Sequence, residues 1–253
     1  MMAMVACGLA LTTGAQAQHE EVRDAHVLIE ATGAGGVQLG NTAYLPSSSS
    51  TDFQFPLVYS FGVGGTAGVM IAENLALIAT YQYSRGQTRD GSIPGILDNV
   101  EGRIDYHTAV AGLRLYVPVG FGAFFGDLGV GVVFPHSTVL QFDYGPALSQ
   151  LPTPIEGTGR RIENFSVGFG GRGRIGYQMP IVGPLYASVD LALEVYQAEN
   201  AGETTELQNF VADFETQPPV AVDAVILHGD GAARPETEAV QSGRVELSLG
   251  AMF

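Results

Sequence analysis

The 253-residue sequence predicts an all-β fold: an eight-stranded antiparallel up-and-down transmembrane β-barrel. Three observations point there. Apolar residues recur with period two along eight segments, not with the 3.6 period of helices. The links between segments alternate short and long, as hairpins at one barrel end and loops at the other require. Charged residues make up only 15% of the chain, the balance is −15, and every basic residue is an Arg.

The segments follow in order. In the first, Val27–Leu39, odd positions such as Ile29 and Val37 are apolar, while Glu30, Thr32 and Gln38 face the other way. The second, Phe53–Val69, sets Phe55, Leu57, Phe61 and Val63 against Gln54, Ser60, Gly62 and Thr66. Ala72-Glu73-Asn74 turns into the third, Leu75–Tyr83, with Leu77, Ala79 and Tyr81 on one face. The fourth, Tyr106–Val117, opposes Leu113 and Leu115 to Arg114 and Tyr116. After Pro118-Val119-Gly120, the fifth places Phe124, Leu128, Val130 and Phe134 opposite Asp127 and Gly129. The sixth, Phe165–Met179, opposes Phe165, Phe169 and Ile175 to Arg172 and Arg174. Pro180–Pro184 leads to the seventh, Leu185–Tyr196, with Val189, Leu191 and Leu193 against Asp190 and Glu194. The eighth, Arg244–Phe253, sets Val245, Leu247, Leu249, Ala251 and Phe253 against Glu246 and Ser248.

Each segment reaches the ~9–11 residues that a tilted strand needs to cross a bilayer. Short periplasmic turns are expected at 72–74, 118–120 and 180–184, and long extracellular loops at 40–52, 84–105, 135–164 and 197–243. Spans at Leu207–Phe214 and Val220–Leu227 would make ten strands, but Asp213 and Asp223 disfavour crossing there, which leaves a rim hairpin or strand extension. A secreted lipocalin-like barrel alternates too, with apolar residues inside. Against it stand polar faces rich in Gly, Ser, Thr and Tyr without Lys, apolar faces unbroken along nearly whole segments, and a final Phe253. Lipid-facing Tyr81, Tyr83, Phe134, Phe165, Tyr177 and Phe253 sit where an aromatic girdle belongs.

Residues 1–17 read as a signal peptide and 18–253 as the barrel domain. Met1–Thr13 is a small-apolar run, and Ala15-Gln16-Ala17 offers small residues at a cleavage site. No Lys or Arg precedes that run, which suggests a start further upstream, and Cys7 reads as apolar filler within the leader.

The terminal strand, the Ala-Gln-Ala site, Ala111–Pro118 (AGLRLYVP) and Val167–Met179 (VGFGGRGRIGYQM) resemble the small outer-membrane barrel family of the OmpA barrel, OmpX and OmpW-like proteins. The resemblance covers the mature chain and rests on pattern. It implies residence in the bacterial outer membrane among lipid and lipopolysaccharide, with periplasmic chaperones and the barrel assembly machinery as biogenesis partners. That machinery would read Val245, Leu247, Leu249, Ala251 and Phe253.

With apolar rows on lipid, the opposite rows bring Glu30, Arg114, Asp127, Arg172, Arg174, Asp190, Glu194, Arg244 and Glu246 into the lumen. Four Arg against five carboxylates form a structural salt-bridge network or, alternatively, line a narrow ion path. No catalytic group, cofactor or metal site is expected. Gly168-x-Gly170-x-x-Gly173 and Gly62-x-Gly64-x-x-Ala67 fit a dinucleotide fingerprint by letter, but lie within strands with no helix to follow. His19, His26, His107, His136 and His228 make no i, i+4 pair, so a lipid-modifying hydrolase is only a third reading. The acidic stretch 197–242 reads as solvated surface, and the net charge of −15 excludes nucleic acid as a partner. The two main functional classes are a non-enzymatic envelope or surface-recognition barrel and a narrow porin or solute channel.

Overall fold

The computed structural model describes residues 27–38, 42–45, 53–88, 91–93, 95–146, 157–208, 210–212, 220–222, 225–229 and 237–253. The leader 1–17 lies outside them. Among the described residues the strands are β1 Val27–Gln38, β2 Thr42–Leu45, β3 Phe53–Ala72, β4 Leu75–Thr88, β5 Gly91–Ile93, β6 Leu97–Val119, β7 Gly122–Val133, β8 His136–Tyr144, β9 Thr158–Phe165, β10 Gly168–Val182, β11 Leu185–Gln208, β12 Phe210–Ala212, β13 Val220–Val222, β14 Val225–Gly229 and β15 Thr237–Met252.

Eight of them close a ring. β1 pairs β3, β3 pairs β4, and the antiparallel pairing continues through β6, β7, β10, β11 and β15 back to β1. The two ends of the chain seal it: Val27 N donates to Phe253 O at 3.0 Å, and Phe253 N to Val27 O at 2.9 Å. One circuit of registered partners leaves Gly250, passes Glu30, Thr66, Thr80, Val110, Gly131, Gly170 and Tyr196, and returns at Val240. That stagger of ten residues around eight strands sets a strand tilt of roughly 40° and an interior that side chains can fill. The turns β3–β4, β6–β7 and β10–β11 are short, and Gly120 (φ 62°) and Gly183 (φ 51°) take the left-handed conformation that such tight turns need.

The strands run well past the lipid. β6 has 23 residues and β11 has 24. At about 3.3 Å per residue and ~40° tilt, β6 rises roughly 55 Å, against an apolar band about 25 Å tall. All four stretches expected as loops therefore contain ordered strand, the first of them the short β2 against β3. β4 and β6 invade 84–105, β8 and β9 occupy much of 135–164, and β11, β14 and β15 extend into 197–243. β8 pairs with β6 and β9, and β9 pairs with β11, so the wall above β7 and β10 continues through β8 and β9. No ninth or tenth strand joins the ring among the described residues. β14 pairs the outer end of β11, and β12 pairs only β13.

The side-chain phase flips where β7 passes into β8 and β9 into β10. Phe134 and Pro135 are both exposed and His136 is buried, so the inward positions change from odd in β7 to even in β8, and likewise from odd in β9 to even in β10. Phe165 accordingly points inward, not to lipid as the girdle reading expects. It stacks on His136 with ring centroids 5.1 Å apart. The phase breaks because Pro135 has no N–H for the ladder. Tyr81, Phe134 and Phe253 are exposed on the outer wall, and Tyr83 and Tyr177 are half-buried.

Candidate functional site: a charged layer inside the barrel

The outer rows carry Leu113, Leu191 and Leu247 at 46%, 58% and 65% exposure, while Arg114, Asp190 and Glu246 on the inner rows are 0–3% exposed. Every ring strand shows the same polarity, with Ile29, Val63, Leu77, Leu128, Phe169 and their neighbours exposed. A water-soluble monomer exposes apolar patches of a few hundred Å² and does not encircle itself with one. The belt needs hydrocarbon around it, and a closed ring leaves no backbone edge to satisfy there. The chain is an eight-stranded transmembrane β-barrel.

All nine lumen charges come together at one level of this barrel. Strand alternation aims them inward, and antiparallel register sets Arg114 beside Asp127, Arg174 beside Asp127, Arg172 beside Gly129, and Asp190 beside Glu246. Arg114 grips Asp127 bidentately, Nε to Oδ1 at 2.7 Å and Nη2 to Oδ2 at 2.8 Å, and reaches Glu30 at 3.0 Å. Arg174 is the hub: it lies 2.6 Å from Glu30, 3.2 Å from Asp127, 3.4 Å from Glu246 and 3.5 Å from Asp190. Arg172 bridges Glu246 and Glu194, the latter at 3.3 Å, and Arg244 pairs with Glu194 and donates to Ser84. The result is one unbroken chain from Asp127 through Arg114, Glu30, Arg174, Glu246, Arg172 and Glu194 to Arg244.

Neutral groups beyond the nine charges complete the layer. Tyr186 donates to Glu30 at 3.1 Å and Gln82 to Glu246 at 3.5 Å, and Thr32 shares a 2.9 Å hydrogen bond with Ser248. Phe125 lies under two guanidinium groups, 4.6 Å from Arg114 and 5.0 Å from Arg174. The signal for these residues is their phase along the strand, since each alternates in step with the inward-facing row of its own element.

Apolar layers bound the charges above and below. Toward the short turns, Leu28, Ala76, Ile78, Tyr116, Phe125, Tyr186 and Met252 pack together. Toward the long strands, Leu57, Ile104, Tyr106, Val110, Val133, Phe165, Tyr196 and Val240 do the same. A third cluster, Leu97, Val100, Leu140 and Phe142, lies higher still.

Above the lipid belt a second set of ion pairs braces the projecting wall. Inside it, Arg161 reaches Glu163 at 3.0 Å and also pairs with Glu203. Outside it, Arg85 and Arg103 flank Asp105 at 2.6 and 2.8 Å, and the Tyr83 hydroxyl donates to the same carboxylate at 2.6 Å. Burial pushes Asp105 up, but the hydrogen bonds from Tyr83 and Arg85 outweigh it and hold the carboxyl below its ordinary range. His107 sits between Tyr81 and Tyr83, with Nδ1 2.7 Å from the Tyr81 hydroxyl. His136 is buried at the foot of β8, which holds its imidazole below the ordinary value. No cluster of His, Cys, Asp and Glu among the described residues is arranged to hold a metal ion.

No family model matches this sequence, and no curated protein does. Solved structures with a similar fold include Ail, the attachment invasion locus protein of Yersinia pestis, at 10% identity and a TM-score of 0.38 over 90% of this chain and 99% of that one. OprG from Pseudomonas aeruginosa matches at 12% identity and 0.42, over 90% and 96%. A major outer membrane protein from Thermus thermophilus matches at 12% and 0.44, over 90% and 99%. These likenesses transfer no role to this chain.

Proposed function

We propose that this chain is a non-conducting, non-enzymatic outer-membrane protein with an envelope-structural or surface-recognition role. It would be exported by cleavage after residue 17, folded by the assembly machinery through the row Val245, Leu247, Leu249, Ala251 and Phe253, and surrounded by phospholipid and lipopolysaccharide. One observation supports the closed lumen above all: the nine-residue charged layer lies between two apolar clusters, so an ion entering from either side meets packed apolar side chains before it meets a charge. Eight strands leave little room for water beside such side chains. The braced wall beyond the lipid supports a surface role, since structure invested there presents residues outward.

Planar-bilayer recording on the purified, refolded chain tests the reading. The expected trace is a flat baseline. Steady, reproducible conductance steps would overturn it in favour of a narrow porin.

A further inference from the structure

The outer wall is uneven on one flank. In successive registered rows, Leu115–Gly126–Ile175–Leu191 and Leu113–Leu128–Gly173–Leu193, one position in each row has no side chain. The gaps open a furrow of about 660 Å³ in the lipid-facing surface across β6, β7, β10 and β11. A second hollow of about 640 Å³ shares Gly126 and Ile175 with it and continues toward the short turns past Phe124 and Tyr177. The barrel does not need glycine at these two positions. A Cβ at Gly126 would come no nearer than 3.9 Å to another atom, and one at Gly173 no nearer than 4.0 Å. Inward glycines on the same strands are different: a Cβ at Gly131 would meet Ala109 O at 2.1 Å and one at Gly170 would meet Val195 O at 2.0 Å. Glycine is disfavoured in strands, so at Gly126 and Gly173 it shapes the outer surface and not the packing within.

We propose that this furrow is a binding site for one acyl chain of a phospholipid from the periplasmic leaflet. Its walls are almost wholly hydrocarbon side chains, so the ligand must be hydrocarbon. Each gap in it is a single missing side chain, one strand spacing (~5 Å) across, which suits one extended chain and not a strand pair of a second barrel. Gly126 lies six residues from the Gly120 turn, roughly 15 Å along the axis, so the furrow runs from mid-membrane toward the short-turn side. At that end Phe121 and Phe124 pack edge-on against Tyr177, with centroids 6.1 and 5.0 Å away. Aromatic rings at this height mark the headgroup boundary. The lipid would lie with its glycerol at the aromatic trio and its chain over Gly126 and Gly173.

The test compares the wild-type barrel with two double variants, each folded in phosphatidylethanolamine/phosphatidylglycerol vesicles and checked by heat-modifiable gel migration. Gly126→Leu/Gly173→Leu fills the furrow. Gly33→Leu/Gly35→Leu adds the same bulk to the outer face of β1, where a Cβ likewise meets nothing within 4 Å. Native mass spectrometry after delipidation is expected to show one phospholipid retained by the wild type and the β1 variant, and at least a tenfold loss of that species in the furrow variant. A photoactivatable acyl-chain phospholipid on the wild type alone is expected to label β7 and β10. Equal retention in all three barrels, no retained lipid in the wild type, or a dimer lost only from the furrow variant would overturn the proposal. A conducting barrel with a retained lipid would count against the closed lumen and leave the furrow site standing.

Discussion

Arg174 is the residue on which the charged layer turns. It approaches four carboxylates, Glu30, Asp127, Asp190 and Glu246, and its side chain is 1% exposed. Removing one partner of a buried ion pair leaves charges that neither water nor protein compensates. Arg174→Ala is expected to destabilise the barrel by about 3–5 kcal/mol, read as an earlier urea midpoint in detergent micelles. Lys should rescue little, because a point charge cannot span several carboxylates as a planar guanidinium does. Exposed pairs behave differently. Arg103 beside Asp105 is half exposed, and its loss should be close to silent in the same assay. Side-chain direction separates the two cases, and it is legible at residue level: Arg114, Arg172, Arg174 and Arg244 all stand one position out of phase with an apolar row.

A strand in this barrel has two faces with opposite steric rules. Gly170 and Gly173 lie in one strand, three residues apart. The first faces the lumen, with Val195 O at 2.0 Å from its would-be Cβ, and the second faces lipid with open space. Gly170→Val should slow folding and weaken the folded band on a heat-modifiable gel, whereas Gly173→Val should fold as the wild type does. The lettering Gly-x-Gly-x-x-Gly is thus a record of two unrelated constraints in β10. Element lengths are less legible in the sequence. Inside the bilayer one face meets hydrocarbon, and the period-two signal is strong. Above it both faces can be polar, so residues 158–164 read as loop although they belong to β9. The inward turn of Phe165 has a related cause: phase carried along a sequence assumes an unbroken ladder, and Pro135 with the matching gap at Ser166–Val167 breaks it.

For the whole molecule, closure is a property of stacked layers and not of any one bridge. The clusters around Leu28 and Tyr116 on one side, and Ile104 and Tyr196 on the other, bound the charges independently of how those charges pair. Arg174→Ala should therefore lose stability without gaining conductance, and a planar-bilayer trace of the variant should stay as flat as that of the wild type. Current appearing in the variant alone would mean that the bridges themselves form the gate. The projecting wall is a separate investment. Its Arg161–Glu163 and Arg85–Asp105 pairs lie beyond the lipid and involve none of the nine lumen charges.

From the letters alone came the eight crossings, the lipid-facing rows, the three short turns and the nine inward charges. Each follows from one local fact, that hydrocarbon on one side of a strand forces a strict alternation. Which charge meets which, how high the wall rises, where the phase inverts and where the outer surface is hollow all depend on the ten-residue stagger of the closed ring. That stagger brings Glu30 to Arg174 across 144 residues of chain, and no local pattern encodes a neighbour at such a distance.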